Sequence, residues 1–142
     1  MITKTLYSTR ATAEGGRNGR AATEDGALSV NLVMPKELGG PGGTEGTNPE
    51  QLFAAGYAAC FLSALKMIAG QDKVKLPEGT RITTQVGIGP RPDGGFGLSV
   101  ALEGHLPGLD ADQADALMAK AHAACPYSAA IKGNVEVALS RA

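Results

Sequence analysis

Tryptophan is absent from this chain, and aromatic residues of all kinds make up 4% of its 142 positions. A surface built to stack nucleobases needs aromatic platforms beside a basic groove. Neither is present: thirteen Lys and Arg nearly cancel fourteen Asp and Glu, and no like-charge block occurs along the chain. Nucleic acid and anionic membrane are therefore not expected partners. Long apolar runs are also missing. The least charged stretch, residues 51–65, falls short of the about 20 residues that a membrane span needs, and Glu50 and Lys66 bracket it. The opening Met1-Ile2-Thr3-Lys4-Thr5-Leu6-Tyr7 alternates polar and apolar residues, unlike a signal peptide. Together these features predict a soluble, cytoplasmic protein. Neither a G-x-x-x-x-G-K-[ST] nor a G-x-G-x-x-G pattern occurs, so the glycine-rich segment 35–48 reads as a connector rather than a phosphate cradle.

Cysteine is scarce. Cys60 lies within QLFAAGYAACFLSAL (51–65), and Cys125 opens Cys125-Pro126-Tyr127-Ser128. A reducing cytosol disfavours a permanent disulfide but allows a transient catalytic one. Zinc wants four ligands, and His122-x-x-Cys125 offers two with no further set nearby, so a surface or core histidine is the better reading of His122 and of His105.

The pattern of elements predicts one α+β domain over 1–142. Residues 3–13 and 20–23 read as extended, and 27–33 alternates cleanly behind the turn signal Asp25-Gly26. Asn48 is placed to cap a helix, with Pro49 at its first position and Glu50 in its first turn. That helix can run to Gly70 and is apolar on nearly every face, which predicts burial on all sides. Segments 80–89 and 95–106 alternate like half-buried strands, a capping box at Asp110–Gln113 opens a helix over 111–124, and 134–140 closes as a strand. Strands grouped at hairpin spacing predict mainly antiparallel sheets around a long buried central helix. One sheet and one short helix cannot cover that helix, so an intertwined homodimer is expected to cover the rest.

Phe53, Tyr57 and Phe61 recur every four residues and form a stripe that serves either core packing or an apolar wall beside Cys60. Arg17, within Gly15-Gly16-Arg17-Asn18-Gly19-Arg20, reads alone as a turn arginine, and Glu50 alone as a first-turn acid favoured by the helix dipole.

Taken together, these segments resemble the organic hydroperoxide resistance (Ohr) proteins of the OsmC/Ohr superfamily. The resemblance rests on Gly15-Gly16-Arg17-x-Gly19-Arg20, Glu37-Leu38-Gly39-Gly40, the run from Thr47 to Phe61, Val86-Gly87-Ile88-Gly89, Gly95-Phe96-Gly97 and Cys125-Pro126-Tyr127-Ser128. It covers essentially the whole chain, and Tyr127 after the proline points to the Ohr branch. Glu14 and the longer 39–48 region are departures from the pattern. The resemblance implies a thiol peroxidase that reduces organic and fatty-acid hydroperoxides to alcohols, with Cys60 as the peroxidatic cysteine and Cys125 as the resolving one. It further implies Arg17 and Glu50 as an activating pair, an intertwined homodimer, and electrons from dihydrolipoyl groups of lipoylated enzyme subunits. No bound cofactor and no metal are implied.

The chemistry is consistent with elementary constraints. Thiolate, not thiol, attacks a peroxide, and apolar surroundings raise a cysteine pKa above its free value of about 8.5. Ten residues separate Cys60 from the helix start, about 15 Å, so the helix dipole cannot activate it. Arg17 is a suitable cation, fixed by a bidentate pair with Glu50. Glu50 and Cys60 of one straight helix cannot share a site unless Gly56 marks a break or Glu50 comes from another chain, and the second is expected. Phe53, Tyr127 and Ile131 would favour an organic tail over hydrogen peroxide. A hydrophobic-ligand binder with passive thiols, and a domain held by a structural bridge, stay open on the residues alone.

Overall fold

Hairpin chemistry organises the first part of the chain. In the computed structural model, which describes residues 1–142, the chain gathers into two compact units, Met1–Leu52 and Phe53–Ala142. In the first, β1 (Ala11–Glu14), β2 (Arg20–Thr23) and β3 (Ser29–Asn31) form an antiparallel sheet in sequence order. Asp25-Gly26 turns the chain as expected. Asp25 Oδ1 accepts from Thr23 Oγ1 at 2.7 Å and from the Ala27 N–H at 3.0 Å, and Gly26 takes φ +74°. The strand expected over 3–13 forms only from Ala11, because residues 3–9 find no ladder partner within the chain.

The β1–β2 connection is tighter. Gly15 and Gly16 sit at positive φ, and a Cβ on Gly19 would collide with the Glu14 carbonyl. Only glycine lets the backbone cross itself so closely. A single 3-10 turn, Gly16–Asn18, then holds Arg17 at the tip. Segment 35–48 leaves the sheet and returns to it. Thr47 N–H donates to Asn31 O at 2.8 Å, and Val33 N–H donates to Thr47 O at 2.9 Å.

The long helix α1 (Pro49–Gln71) starts where the sequence places it, with the Gln51 N–H donating to Asn48 Oδ1 at 2.8 Å. It runs through Gly56 without a break. Burial on all sides is not found within one chain. Tyr57, Phe61, Ala64, Leu65 and Ala69 are buried, spaced as a single stripe. Ala55, Ala59, Ser63 and Met67 on another face are exposed. Both faces are apolar, so composition could not tell them apart. With 23 residues, α1 also exceeds the 51–65 run and reaches the length and apolarity of a membrane span. Its buried stripe nevertheless belongs to the core of a folded unit, and the helix carries an exposed Lys66 outside that stripe.

In the second unit β4 (Arg81–Pro90) and β5 (Phe96–His105) form a hairpin paired over ten positions. β6 (Val137–Arg141) joins β5 in parallel. The mainly antiparallel expectation therefore holds except at this last ladder. Two helices intervene between β5 and β6, and a helical crossover returns the chain in the same direction. The first of these, α2 (Ala111–Ala124), is capped by Asp110, whose Oδ2 accepts from the Gln113 N–H at 3.2 Å. The second, α3 (Pro126–Ile131), is not among the elements the sequence predicts and begins directly after Cys125. The core sets the α1 stripe against Val100 and Leu102 of β5 and against Leu117, Met118 and Ala121 of α2. The fold is α+β, as the sequence predicts.

Candidate functional site

Cys60 projects from the middle of α1, and Cys125 is the residue on which α2 ends and α3 begins. Pro126 explains the second placement. It cannot continue α2, but its fixed φ suits the first position of a new helix. The 65-residue separation closes in space: the two Sγ atoms lie 3.7 Å apart, and both thiols are free. A disulfide needs about 2.05 Å between sulfurs, so oxidation would draw them together by a little over 1.5 Å. Cys125 is buried, whereas Cys60 is partly open.

Burial pushes the Cys60 thiol above its ordinary value. The Tyr127 backbone N–H, donating to the sulfur, acts the other way, and the contact with Cys125 raises it further. The unit that holds Cys60 therefore disfavours its thiolate, as expected for a cysteine set in apolar surroundings.

Three aromatic rings stand beside the thiols. Phe53 meets Tyr57 edge-on with centroids 5.8 Å apart, and Tyr127 lies 6.1 Å from Phe53 and 5.8 Å from Tyr57. Gly56 makes room for this cluster, since a Cβ there would come within 3.2 Å of the Tyr127 hydroxyl. Ile131, at the end of α3, is half-buried and packs against the same core.

One arrangement was missed in the sequence. The fully buried Tyr57 places its hydroxyl 2.6 Å from Ser128 Oγ, and Ser128 Oγ lies 2.8 Å from His122 Nδ1. His122, which the sequence sets one turn before Cys125, instead bonds Ser128. Burial raises the Tyr57 pKa, and the bond to Ser128 opposes this. The available signal was the spacing: Tyr57 is three before Cys60, and Ser128 is three after Cys125.

The other candidate pair lies in the first unit. Arg17 Nη1 and Nη2 donate to Glu50 Oε2 and Oε1, both at 2.7 Å. This is the bidentate fork expected of the pair, and it forms within one chain. The hydrogen bonds from Arg17 hold the Glu50 carboxyl below its ordinary value of 4.5, with burial acting the other way, and Glu50 raises Arg17. A carboxyl lowered in the folded state stabilises the fold above its unfolded pKa, and that contribution disappears as pH falls through the lowered value. Part of the wild-type loss of thermal stability below pH 4.5 should therefore be missing from Glu50→Gln. Equal acid slopes for the two proteins would show that the pair carries no such linkage.

The family described as OsmC-like protein matches residues 40–140. An organic hydroperoxide resistance protein of Xanthomonas axonopodis pv. citri is 55% identical over 98% of this chain and 96% of its own length. The crystal structure of an organic hydroperoxide resistance protein from Legionella pneumophila is 55% identical, with a TM-score of 0.91, covering 98% of this chain and 99% of that one. That of OhrB from Bacillus subtilis is 41% identical, with a TM-score of 0.87, covering 97% and 100%.

Proposed function

This chain belongs to the OsmC/Ohr family of organic hydroperoxide resistance proteins, and from that premise we propose that it is a cysteine-based peroxidase reducing organic hydroperoxides, including those of fatty acids, to alcohols in oxidative-stress defence. The observation that carries the proposal is the 3.7 Å approach of the Cys60 and Cys125 sulfurs. Cys60 thiolate attacks the terminal peroxide oxygen. The O–O bond breaks, Cys60 becomes a sulfenic acid, and the departing alkoxide takes a proton and leaves as the alcohol. Cys125 then condenses with the sulfenic acid, forming the S–S bond and releasing water. An external dithiol, in our reading the dihydrolipoyl group of a lipoylated enzyme subunit, reduces the disulfide by exchange. No metal and no bound organic cofactor take part.

Arg17 supplies the positive charge that Cys60 lacks, and Glu50 holds the guanidinium flat and oriented. Because α1 is unbroken between Glu50 and Cys60, the ten residues between them span about 15 Å. The Arg17–Glu50 pair of one protomer therefore serves the Cys60 of its partner in a homodimer. The exposed small and apolar residues Ala55, Ala59 and Met67 of α1 suit such a partner face. Phe53, Tyr127 and Ile131 provide the apolar wall for the organic tail. The enzyme works in the cytoplasm, where dithiol reductants keep its resting thiols reduced.

Mass spectrometry after one equivalent of an organic hydroperoxide tests this reading. The expected product is a single intramolecular Cys60–Cys125 disulfide. Oxidation that leaves both cysteines unlinked would overturn the mechanism.

A further inference from the structure

We infer that Tyr57, Ser128 and His122 form a positioning clamp that sets how fast Cys125 resolves oxidised Cys60. The inference rests on the attacker-and-resolver reading above. Two contacts join α1 to the start of α3: Cys60 with Cys125 at 3.7 Å, and Tyr57 with Ser128 at 2.6 Å. On each side the partners are three residues apart, so both contacts lie on one face of each element, about one turn from each other. The second contact therefore sets the register of the first. Both sulfurs are also within electrostatic reach of the Tyr57 hydroxyl.

α3 needs such a clamp. It has six residues, and the Cys125 side chain makes no capping bond to it. A helix this short does not hold itself in water. Ser128, in its first turn, is tied from α1 by Tyr57 and from α2 by His122 at 2.8 Å. The hydroxyl is thus pinned from two directions, and Cys125 is carried with it.

The step that depends on this placement is Cys60–SOH + Cys125–SH → Cys60–S–S–Cys125 + H₂O. The S–O bond breaks, the S–S bond forms, and the Cys125 proton leaves with the hydroxyl as water. A competing step consumes a second hydroperoxide: Cys60–SOH + ROOH → Cys60–SO₂H + ROH, which ends the cycle. A misplacement of about 1 Å in a reacting group can slow a step on the order of 100-fold. The clamp therefore decides which of the two fates Cys60 meets. Cys125 takes no part in the initial attack on peroxide, so the clamp bears on that step only through the Tyr127 N–H that α3 brings to the Cys60 sulfur.

The test compares wild type with Ser128→Ala, Tyr57→Phe, His122→Leu and His122→Asn, each treated with tert-butyl hydroperoxide, quenched over time and analysed by mass spectrometry. His122 borders an open surface cavity of about 460 Å³ together with Lys132 and Val135, so its replacement leaves no sealed void. Cys60 oxidation should change far less than resolution, while disulfide formation falls about ten- to hundredfold and sulfinic acid accumulates. An asparagine side-chain amide can reach the position of the imidazole Nδ1, so His122→Asn should recover most of the resolving rate and His122→Leu should not. Resolution at the wild-type rate in Ser128→Ala and Tyr57→Phe would overturn the clamp. So would slow resolution that merely tracks melting temperature, with no recovery in His122→Asn. A wild-type protein that forms no disulfide would instead remove the underlying reading, and the clamp with it.

Discussion

Cys60→Ser is expected to reduce hydroperoxide turnover to the uncatalysed background. In the proposed mechanism the Cys60 sulfur accepts the peroxide oxygen and passes it on as water. A serine hydroxyl ionises far less readily than a thiol and has no counterpart of the sulfenic acid intermediate. Removing a catalytic nucleophile costs on the order of 10⁴-fold or more. The fold should survive, because the thiol is only partly buried and the replacement is nearly isosteric. Hydroperoxide consumption followed with a dithiol reductant measures the effect. Retained turnover in Cys60→Ser would mean that the thiols are bystanders, as in a hydrophobic-ligand binder.

Arg17→Ala should have the next largest effect. Burial already pushes the Cys60 thiol up, and in the proposed site the Arg17 guanidinium is the group that favours the thiolate. Loss of one preorganised electrostatic contact of this type costs about 10²–10³ in rate, and the pH–rate profile should move in the alkaline direction. Arg17→Lys keeps the charge but loses the two-pronged pair with Glu50, so it should recover only part of the rate. A mixed dimer tests where the arginine comes from. When Cys60→Ser and Arg17→Ala chains are co-expressed, a shared site regains Arg17 from one protomer and Cys60 from the other. Half of randomly paired dimers then carry one intact site of two, giving about a quarter of wild-type activity. Mixed dimers as inactive as either parent would place Arg17 and Cys60 in one chain.

Features of the fold that rest on neighbouring residues were legible in the sequence. Asn48 and Pro49 start α1, Asp110 starts α2, and Asp25-Gly26 turns β2 into β3, because caps and turns are satisfied within a few residues. Features that depend on a distant partner were not. Residues 3–9 have strand-like alternation, yet no strand of this chain pairs with them. The parallel β5–β6 ladder and α3 were missed for the same reason. Six residues carry too little periodicity to announce a helix, and Ser128 is held from α1 and α2.

The candidate site divides in the same way. The residue types and motifs around Cys60, Cys125, Arg17 and Glu50 pointed to thiol chemistry, and the helical rise put Glu50 beyond reach of Cys60 unless α1 broke at Gly56, which it does not. His122 and Ser128 read as ordinary residues, because what a hydroxyl or imidazole does depends on which groups stand within hydrogen-bond reach of it.

The sequence by itself thus determined that the chain holds two scarce thiols, one on an apolar helix and one before a proline, in an α+β setting. Burial, hydrogen bonding and proximity are properties of the folded chain, and these only the tertiary structure decided. It brought the sulfurs to 3.7 Å across 65 residues and joined Arg17 to Glu50 across 33. It also bound Ser128 to Tyr57 and His122. The physical reason is range: backbone preferences act over a few residues, whereas a core of α1, β5 and α2 determines which side chains at long separation can meet.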